Sequence, residues 1–174
     1  MSLAYPTSDL KKELQHLSAT ELTALCLRMA RFKKENKELL TYLLFKADNP
    51  EAFVQEYKEE MDNQFKQLSG KSYFVVKSLR KIALLMNNQI RYSGLEMVKV
   101  ELQLHFCSNY IIYIYHHSSY KPLHSVFYRF AEKTKAVIQK MHEDLQHDYG
   151  NLYNEMLTKA EQEIHWFEKK SLML

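Results

Sequence analysis

The sequence predicts an all-α protein, and two observations support that prediction. Glycine and proline number only three each among 174 residues, which is too few for the many tight turns of a β-rich fold. Apolar residues recur at three- and four-residue intervals along most of the chain, as they do on the buried face of a helix. We therefore expect residues 1–174 to form a single domain of about seven to eight antiparallel helices, either a compact bundle or a short stack of helical hairpins.

Capping residues mark the first two helices. Ser8 is placed to cap a short helix over 9–17, and Ser18 and Glu21 have the spacing of a capping box, in which each side chain bonds the other residue's backbone amide. The helix that follows carries an apolar stripe with helical periodicity. Its members are Leu22, Leu25, Cys26, Met29 and Phe32. The polar segment 33–37 is either a break or an exposed turn, after which four leucines continue the pattern.

The next two helices are expected to end at glycines. Asn49 can act as a cap and Pro50 suits the first position of a helix. A helix should therefore run from this point to Gly70, where a glycine favours the left-handed conformation that ends helices. Ser72 begins the following helix, and Gly94 ends it.

The second half of the chain contains the most apolar segment. Residues 95–115 are apolar on more than one face, which is typical of a central helix, although the β-branched end of this segment also has some strand propensity. A loop is expected over 116–121. Pro122 should open a further helix that Gly150 breaks, and the last helix should then follow over 152–167.

Composition argues against several classes of protein. The most apolar stretch, 102–115, is interrupted by polar residues and is shorter than the roughly 20 residues that a membrane span needs. We expect no signal peptide, because the first 17 residues contain no apolar run. Cys26 and Cys107 lie within helical patterns, where cysteine usually acts as a small apolar side chain. No disulfide framework is indicated, so we expect a cytoplasmic protein.

Motifs for catalysis or cofactor binding are missing from the sequence. There is no Gly-x-Ser-x-Gly motif, and three glycines cannot build a phosphate-binding loop. We therefore expect no cofactor, and enzymatic activity is not indicated.

Positive charge is concentrated in the middle of the chain. Residues 70–130 contain eight lysines and arginines against two acids, whereas 1–69 and 131–174 are nearly neutral. The first six of these cations are the candidate nucleic-acid ligands: Lys71, Lys77, Arg80, Lys81, Arg91 and Lys99. Such cations neutralise phosphates, and the tyrosines and phenylalanines among them could stack on unpaired bases. Alternatively, the cations form the solvated faces of helices and the aromatic rings belong to the core.

Histidines provide the candidates for a metal site. His116, His117 and His124 lie within nine residues of one another, and three imidazoles could hold Zn²⁺ with one open coordination position. Alternatively, the three histidines lie half-buried in a polar loop. Other candidate ligands are acid–histidine pairs about one helical turn apart, which are equally ordinary pairs on a helix surface. These are Glu13 with His16, Glu101 with His105, Asp144 with His147, and Glu161 with His165.

The beginning of the chain resembles a family of uncharacterised bacterial helical proteins. The resemblance rests on Leu10-Lys11-Lys12-Glu13-Leu14, on Leu17-Ser18 and Glu21-Leu22, and on Lys34-Glu35-Asn36-Lys37-Glu38 with Tyr42. It covers mainly residues 10–50. The family has no assigned activity, so the resemblance implies a helical fold and a bacterial cytosolic origin, and nothing catalytic.

Three functional hypotheses follow, in this order. The first is a non-enzymatic helical module that binds another protein or a second copy of itself, because the chain offers a large helical surface and no catalytic constellation. The second is nucleic-acid binding through the basic segment 70–130. The third is a metal-dependent enzyme that uses clustered histidines and carboxylates. No membrane partner is expected.

Overall fold

The protein is built from α-helices. The computed structural model describes residues 4–114, 117 and 119–174. Within these residues there are eight α-helices and no strand: α1 (Thr7–Gln15), α2 (Ala19–Phe32), α3 (Lys34–Phe45), α4 (Pro50–Lys66), α5 (Ser72–Ser93), α6 (Glu96–Ile114), α7 (Lys121–Ile138) and α8 (Glu143–Glu163). A short 3-10 turn over Lys169–Ser171 follows α8. The predicted all-α fold class is thereby confirmed.

The helices fall into two compact units, Met1–Phe45 and Lys46–Leu174. The first unit contains α1, α2 and α3, and the second contains α4 to α8. The assignment of residues 1–174 to one domain stays a prediction. Among the described residues, no helix is both long enough and apolar enough to cross a bilayer.

α6 is the central helix of the second unit, as its apolar sequence predicts. It packs against α4, α5, α7 and α8. Its buried apolar residues are Val98, Val100, Leu102, Phe106, Cys107, Tyr110, Ile111 and Ile114. The strand propensity at its C-terminal end is overridden, because a helix there buries Tyr110, Ile111 and Ile114 against neighbours on several sides.

Side-chain contacts define the directions of the helices in the second unit. α4 and α6 are parallel, because Lys58 pairs with Glu101 and Asp62 with His105. The partner on α6 moves four residues toward the C-terminus when the residue on α4 does the same. α7 is antiparallel to α6, since Tyr110 stacks near Phe127 and Gln103 accepts from Thr134. Two further contacts join elements of this unit. Ser72 at the start of α5 lies within hydrogen-bond distance of His117, which follows α6 in the chain. The Tyr149 hydroxyl on α8 donates to Glu101 near the start of α6.

Several predicted helix boundaries are confirmed. The Ser18 amide donates to Glu21 Oε2 at 2.8 Å and the Glu21 amide donates to Ser18 Oγ at 3.3 Å, which completes the capping box. The Ala52 amide donates to Asn49 Oδ1 at 3.0 Å at the start of α4. Gly94 ends α5 in the left-handed conformation, with φ +66° and its amide bonded to the Ile90 carbonyl at 3.0 Å.

Three predicted boundaries are wrong. α4 ends at Lys66, four residues before the glycine at 70 that was expected to end it. α1 begins at Thr7 after Pro6, so Ser8 lies inside the helix and makes no cap. Gly150 lies within α8 and breaks nothing. A glycine inside a helix costs only about 1 kcal/mol relative to alanine, and the burial of Tyr149 and Tyr153 on the same helix outweighs that cost.

The actual break falls between Ile138 and Glu143, where the sequence has neither glycine nor proline. Glu143 and Asp144 stand in the first turn of α8, where negative charge is favourable because of the helix dipole. Of the polar segment 33–37, only Lys33 lies outside a helix, and its extended backbone separates α2 from α3. The Asn36 side-chain amide donates to the Met29 carbonyl at 2.9 Å and so satisfies one of the last carbonyls of α2.

Candidate interaction surfaces

The exposed face of α5 brings together most of the predicted basic residues. Lys77, Arg80 and Lys81 are exposed and lie three and four residues apart, which places them on one side of the helix. Arg91 is also exposed and follows Lys77 by almost four full turns, so it lies on the same side. Lys71 is exposed at the N-cap position.

Apolar and aromatic side chains share this face with the cations. Tyr73, Phe74 and Leu84 are 64%, 57% and 60% exposed, and the Tyr73 and Phe74 rings meet edge to face with centroids 5.6 Å apart. We call the set Tyr73, Phe74, Lys77, Arg80, Lys81, Leu84 and Arg91 the basic face of α5. It spans about 27 Å along the helix, given a rise of about 1.5 Å per residue.

The charge of the basic face is not neutralised locally. The sequence of α5 contains no aspartate or glutamate. Among residues 4–114, 117 and 119–174, no acid lies within ion-pair distance of Lys71, Lys77, Arg80, Lys81 or Arg91. The face therefore presents unpaired positive charge to solvent at Lys77, Arg80, Lys81 and Arg91.

Other members of the predicted basic and aromatic set lie elsewhere. Lys99 is on α6 and is half-buried, beyond the turn at Gly94. Tyr110 is almost completely buried on α6, so it belongs to the core as the alternative interpretation expected. Tyr73 and Phe74, by contrast, are exposed, so that interpretation does not describe the start of α5.

The first unit exposes a second surface, which is apolar. Within residues 4–45 only Tyr42 is buried. Phe32 at the end of α2 and Phe45 at the end of α3 are each 79% exposed, and Leu44 is 62% exposed. The apolar stripe that the sequence places on α2 therefore forms no closed core within this unit.

A groove runs between α2 and α3, with a volume of about 720 Å³. Its apolar part is formed by Leu27, Ala30, Leu40, Leu44 and Phe45. Its charged part consists of cations alone, which are Arg31, Lys33, Lys34 and Lys37. Lys34 pairs with Glu38 at 3.4 Å, whereas the other three make no ion pair in the part of the chain that the structure describes. We call this the α2–α3 groove.

A smaller depression of about 330 Å³ lies on the same two helices and is lined by Leu25, Arg28, Met29, Phe32 and Asn36. It repeats the combination of apolar side chains with an arginine. Sequence periodicity identifies these apolar residues but cannot indicate whether the partner that buries them lies in the same chain, so this surface was not predicted.

A third region, between α4, α6 and α8, is polar. Glu101 binds two partners: Lys58 Nζ lies 2.5 Å from Oε2, and the Tyr149 hydroxyl donates to Oε1 at 3.1 Å. Burial and the neighbouring Glu101 carboxylate raise the pKa of Tyr149 to about 12. The adjacent groove has a volume of about 350 Å³ and is also lined by Ser108 and Lys159.

Asp62 forms the second polar contact between α4 and α6. Its Oδ1 lies 2.6 Å from His105 Nε2 and accepts from the Asn109 amide at 2.6 Å. Burial would raise the pKa of this carboxyl, but the hydrogen bonds from Asn109 and His105, with the charges of His105 and Lys66, outweigh burial and lower it. The Glu101 and Asp62 carboxylates are thus both bonded to neighbouring side chains, and their contacts fix the register of two parallel helices.

The described members of the predicted metal site have different partners. His117 Nδ1 lies 3.2 Å from the Ser72 hydroxyl. The His124 ring stacks on Trp166 with centroids 3.7 Å apart. His116 lies outside the described residues, so the three-histidine site stays a prediction. Within the described residues, no group of three or more histidines, cysteines or acids is arranged to hold a metal ion.

The acid–histidine pairs also have separate contacts. Glu101 and His105 bond to Lys58 and Asp62, and Glu161 pairs with Lys169 Nζ at 3.1 Å. Of the two cysteines, Cys107 is fully buried as predicted for a small apolar side chain, and burial raises the pKa of its thiol strongly. Cys26 is exposed on α2.

Comparisons of the chain with protein-family models, curated proteins and solved structures found no match. The resemblance of residues 10–50 to a bacterial helical family therefore stays a prediction. The class that the structure defines is an all-α protein with one apolar and one basic exposed surface.

Proposed function

We propose that the chain is a non-enzymatic helical module that binds another protein through the α2–α3 groove and the apolar side chains beside it. The observation that supports this most is the exposure of Leu44 and Phe45, which line the groove, in a unit whose only buried residue, within 4–45, is Tyr42. Burying one such side chain contributes roughly 1.5–3 kcal/mol. Clusters of exposed apolar side chains of this kind mark interaction sites.

The composition of the groove favours an acidic amphipathic helix as the partner. A groove between two helices accommodates a third helix that presents apolar residues at i, i+3, i+4 and i+7. Arg31, Lys33 and Lys37 line the groove, so they would pair with aspartates and glutamates beside the apolar residues of such a helix. A second copy of this chain would bring the same cations to the groove, and like charges brought together oppose binding.

A direct test uses designed peptides of about 18 residues. One carries leucines at i, i+3, i+4 and i+7 with flanking glutamates, and its control has every glutamate replaced by lysine. Binding to the full-length protein is followed by fluorescence anisotropy. We expect the acidic peptide to bind, with an affinity that decreases as salt screens the charges, and the basic peptide to bind at least tenfold more weakly.

A pair of variants places the binding on the groove. Leu44→Asp introduces a charge at a groove residue that is 62% exposed, and Leu84→Asp makes the same change on α5 at a residue that is 60% exposed. The first should weaken binding at least tenfold, which corresponds to about 1.4 kcal/mol, and the second should leave it unchanged. Equal binding of both peptides, or equal effects of both variants, would overturn the proposal. Binding to anionic phospholipid vesicles without binding to the acidic peptide would replace it with a membrane-surface function.

A cytoplasmic location and a bacterial origin belong to the same proposal. They are supported by the two unpaired cysteines and by the resemblance of residues 10–50.

A further inference from the structure

We propose that the basic face of α5 binds single-stranded nucleic acid, independently of the protein-binding groove. The charge of α5 supports this assignment. Lys77, Arg80, Lys81 and Arg91 project from one side of a single helix that contains no acid. Cations spaced along about 21 Å of helix match the spread of charge on a phosphate backbone better than that of one small anion.

Exposed aromatic rings lie on the same face as the cations. Tyr73 and Phe74 are more than half exposed at the N-terminal end of α5, and burying exposed rings of this size needs a partner with apolar or π surface. An unpaired base offers that surface, whereas the bases of a duplex are stacked on one another. Combining a cationic track with exposed rings is how proteins bind single strands without reading their sequence.

The beginning of α5 is also positively charged. Lys71 stands at the N-cap, and the first turn contains no acid, although the positive end of the helix dipole favours an acid there. The positive charge of Lys71 therefore adds to that of the dipole beside the two rings. A phosphate linking bases stacked on Tyr73 and Phe74 would meet this charge.

Three lysines elsewhere in the second unit form ion pairs, whereas Lys77, Arg80, Lys81 and Arg91 form none among the described residues. Lys58 pairs with Glu101, Lys46 with Glu56 and Lys169 with Glu161. The occupant that fits unpaired cations and exposed rings together is a single-stranded nucleic acid of about four or more nucleotides.

The test is binding of fluorescein-labelled oligo(dT) of 20 nucleotides to the full-length protein, measured by anisotropy between 50 and 200 mM KCl. Four neutralised phosphates on a single strand predict a slope of about −3 in a plot of log affinity against log salt. The triple variant Lys77→Gln, Arg80→Gln, Lys81→Gln should bind at least tenfold more weakly and show a shallower slope.

A charge-matched control distinguishes this face from net charge. The variant Lys11→Gln, Lys140→Gln, Lys170→Gln removes three positive charges at exposed positions that do not belong to α5, and its affinity should stay within about twofold of the original. Circular dichroism and thermal unfolding of both variants establish that they fold alike.

The aromatic part is tested by Tyr73→Ala and Phe74→Ala. Each should weaken oligo(dT) binding at least about fivefold while leaving the salt slope unchanged, because stacking on a ring involves no released counterion. Unchanged affinity in these two variants, with heparin binding as tightly as oligo(dT), would show a general polyanion surface and overturn the proposal. Absent binding, or equal losses in the two triple variants, would overturn it as well.

Discussion

Asp62 Oδ1 lies 2.6 Å from His105 Nε2, which ties α4 to the central helix α6. The same oxygen accepts from Asn109 one turn further along α6. These contacts lower the pKa of Asp62 against the opposing effect of burial. A carboxyl whose pKa is depressed in the folded state contributes stability that is fully present above its unfolded pKa, and that contribution is lost as pH falls through the folded pKa.

Asp62→Asn should therefore destabilise the protein at pH 7 and flatten its acid response. We expect a loss of about 1 kcal/mol at neutral pH, at the low end for a hydrogen-bonded charge because the Asp62 side chain is 35% exposed. Between about pH 5 and pH 2 the original protein should lose stability more steeply than the variant. Urea unfolding at a series of pH values measures both quantities, and parallel curves for the two proteins would contradict the assignment.

Phe106 should be one of the most sensitive core positions. It is fully buried on α6, with the Phe65 ring at 5.4 Å and the Phe130 ring at 4.6 Å between centroids. Phe106→Ala should cost about 3–5 kcal/mol because it leaves a cavity among three helices. Phe106→Leu keeps most of the volume and should cost less than half as much. Chemical unfolding of both variants measures their losses of unfolding free energy. Equal losses would show that the site collapses around the smaller side chain.

Removing the cap of α4 should have a smaller and local effect. Asn49→Ala deletes the acceptor for the Ala52 amide and should cost about 1 kcal/mol. Asn49→Asp retains the acceptor and should restore most of the stability. The readout is the free energy of unfolding from urea titration. An Asp variant as unstable as the Ala variant would indicate that the cap contributes nothing.

Two glycines should respond in opposite directions to substitution by alanine. Gly94 has φ +66° and Gly150 lies within α8, and an added Cβ would meet nothing within 4 Å at either position. Gly94→Ala should cost about 1 kcal/mol because the left-handed backbone strains an L residue. Gly150→Ala should add about 0.5–1 kcal/mol because alanine restricts the unfolded chain and suits a helix. Thermal unfolding of the pair tests both signs.

Local chemistry explains which parts of the fold are predictable from the sequence. Ser18, Asn49 and Gly94 act through hydrogen bonds or backbone preferences within a few residues, so their positions alone identify helix ends. Gly150 led to the wrong prediction of a helix break. The cost of a glycine in a helix, about 1 kcal/mol, is local, while the packing that outweighs it joins residues far apart in sequence. The beginning of α8 after His142 carried a usable signal, which was the acids at Glu143 and Asp144.

The two candidate surfaces differ in how far the sequence reveals them. The spacing of Lys77, Arg80 and Lys81 along the chain is enough to indicate a shared helix face, and the fold adds that Tyr73 and Phe74 are exposed beside it. Lys99 falls on another helix because Gly94 reverses the chain. The stripe on α2 is equally periodic, but periodicity reports amphipathicity and not the identity of the covering partner.

The lack of burial in the first unit also bears on hydrogen exchange. Backbone amides exchange with solvent through local openings, whose free energy rises with the apolar surface that each opening exposes. Apart from Tyr42, residues 4–45 bury no side chain, so the amides of α1 to α3 should open at a small fraction of the free energy needed for those of α6. A ligand held in the α2–α3 groove would slow deuterium uptake in that segment first, long before any change reached the centre of the second unit.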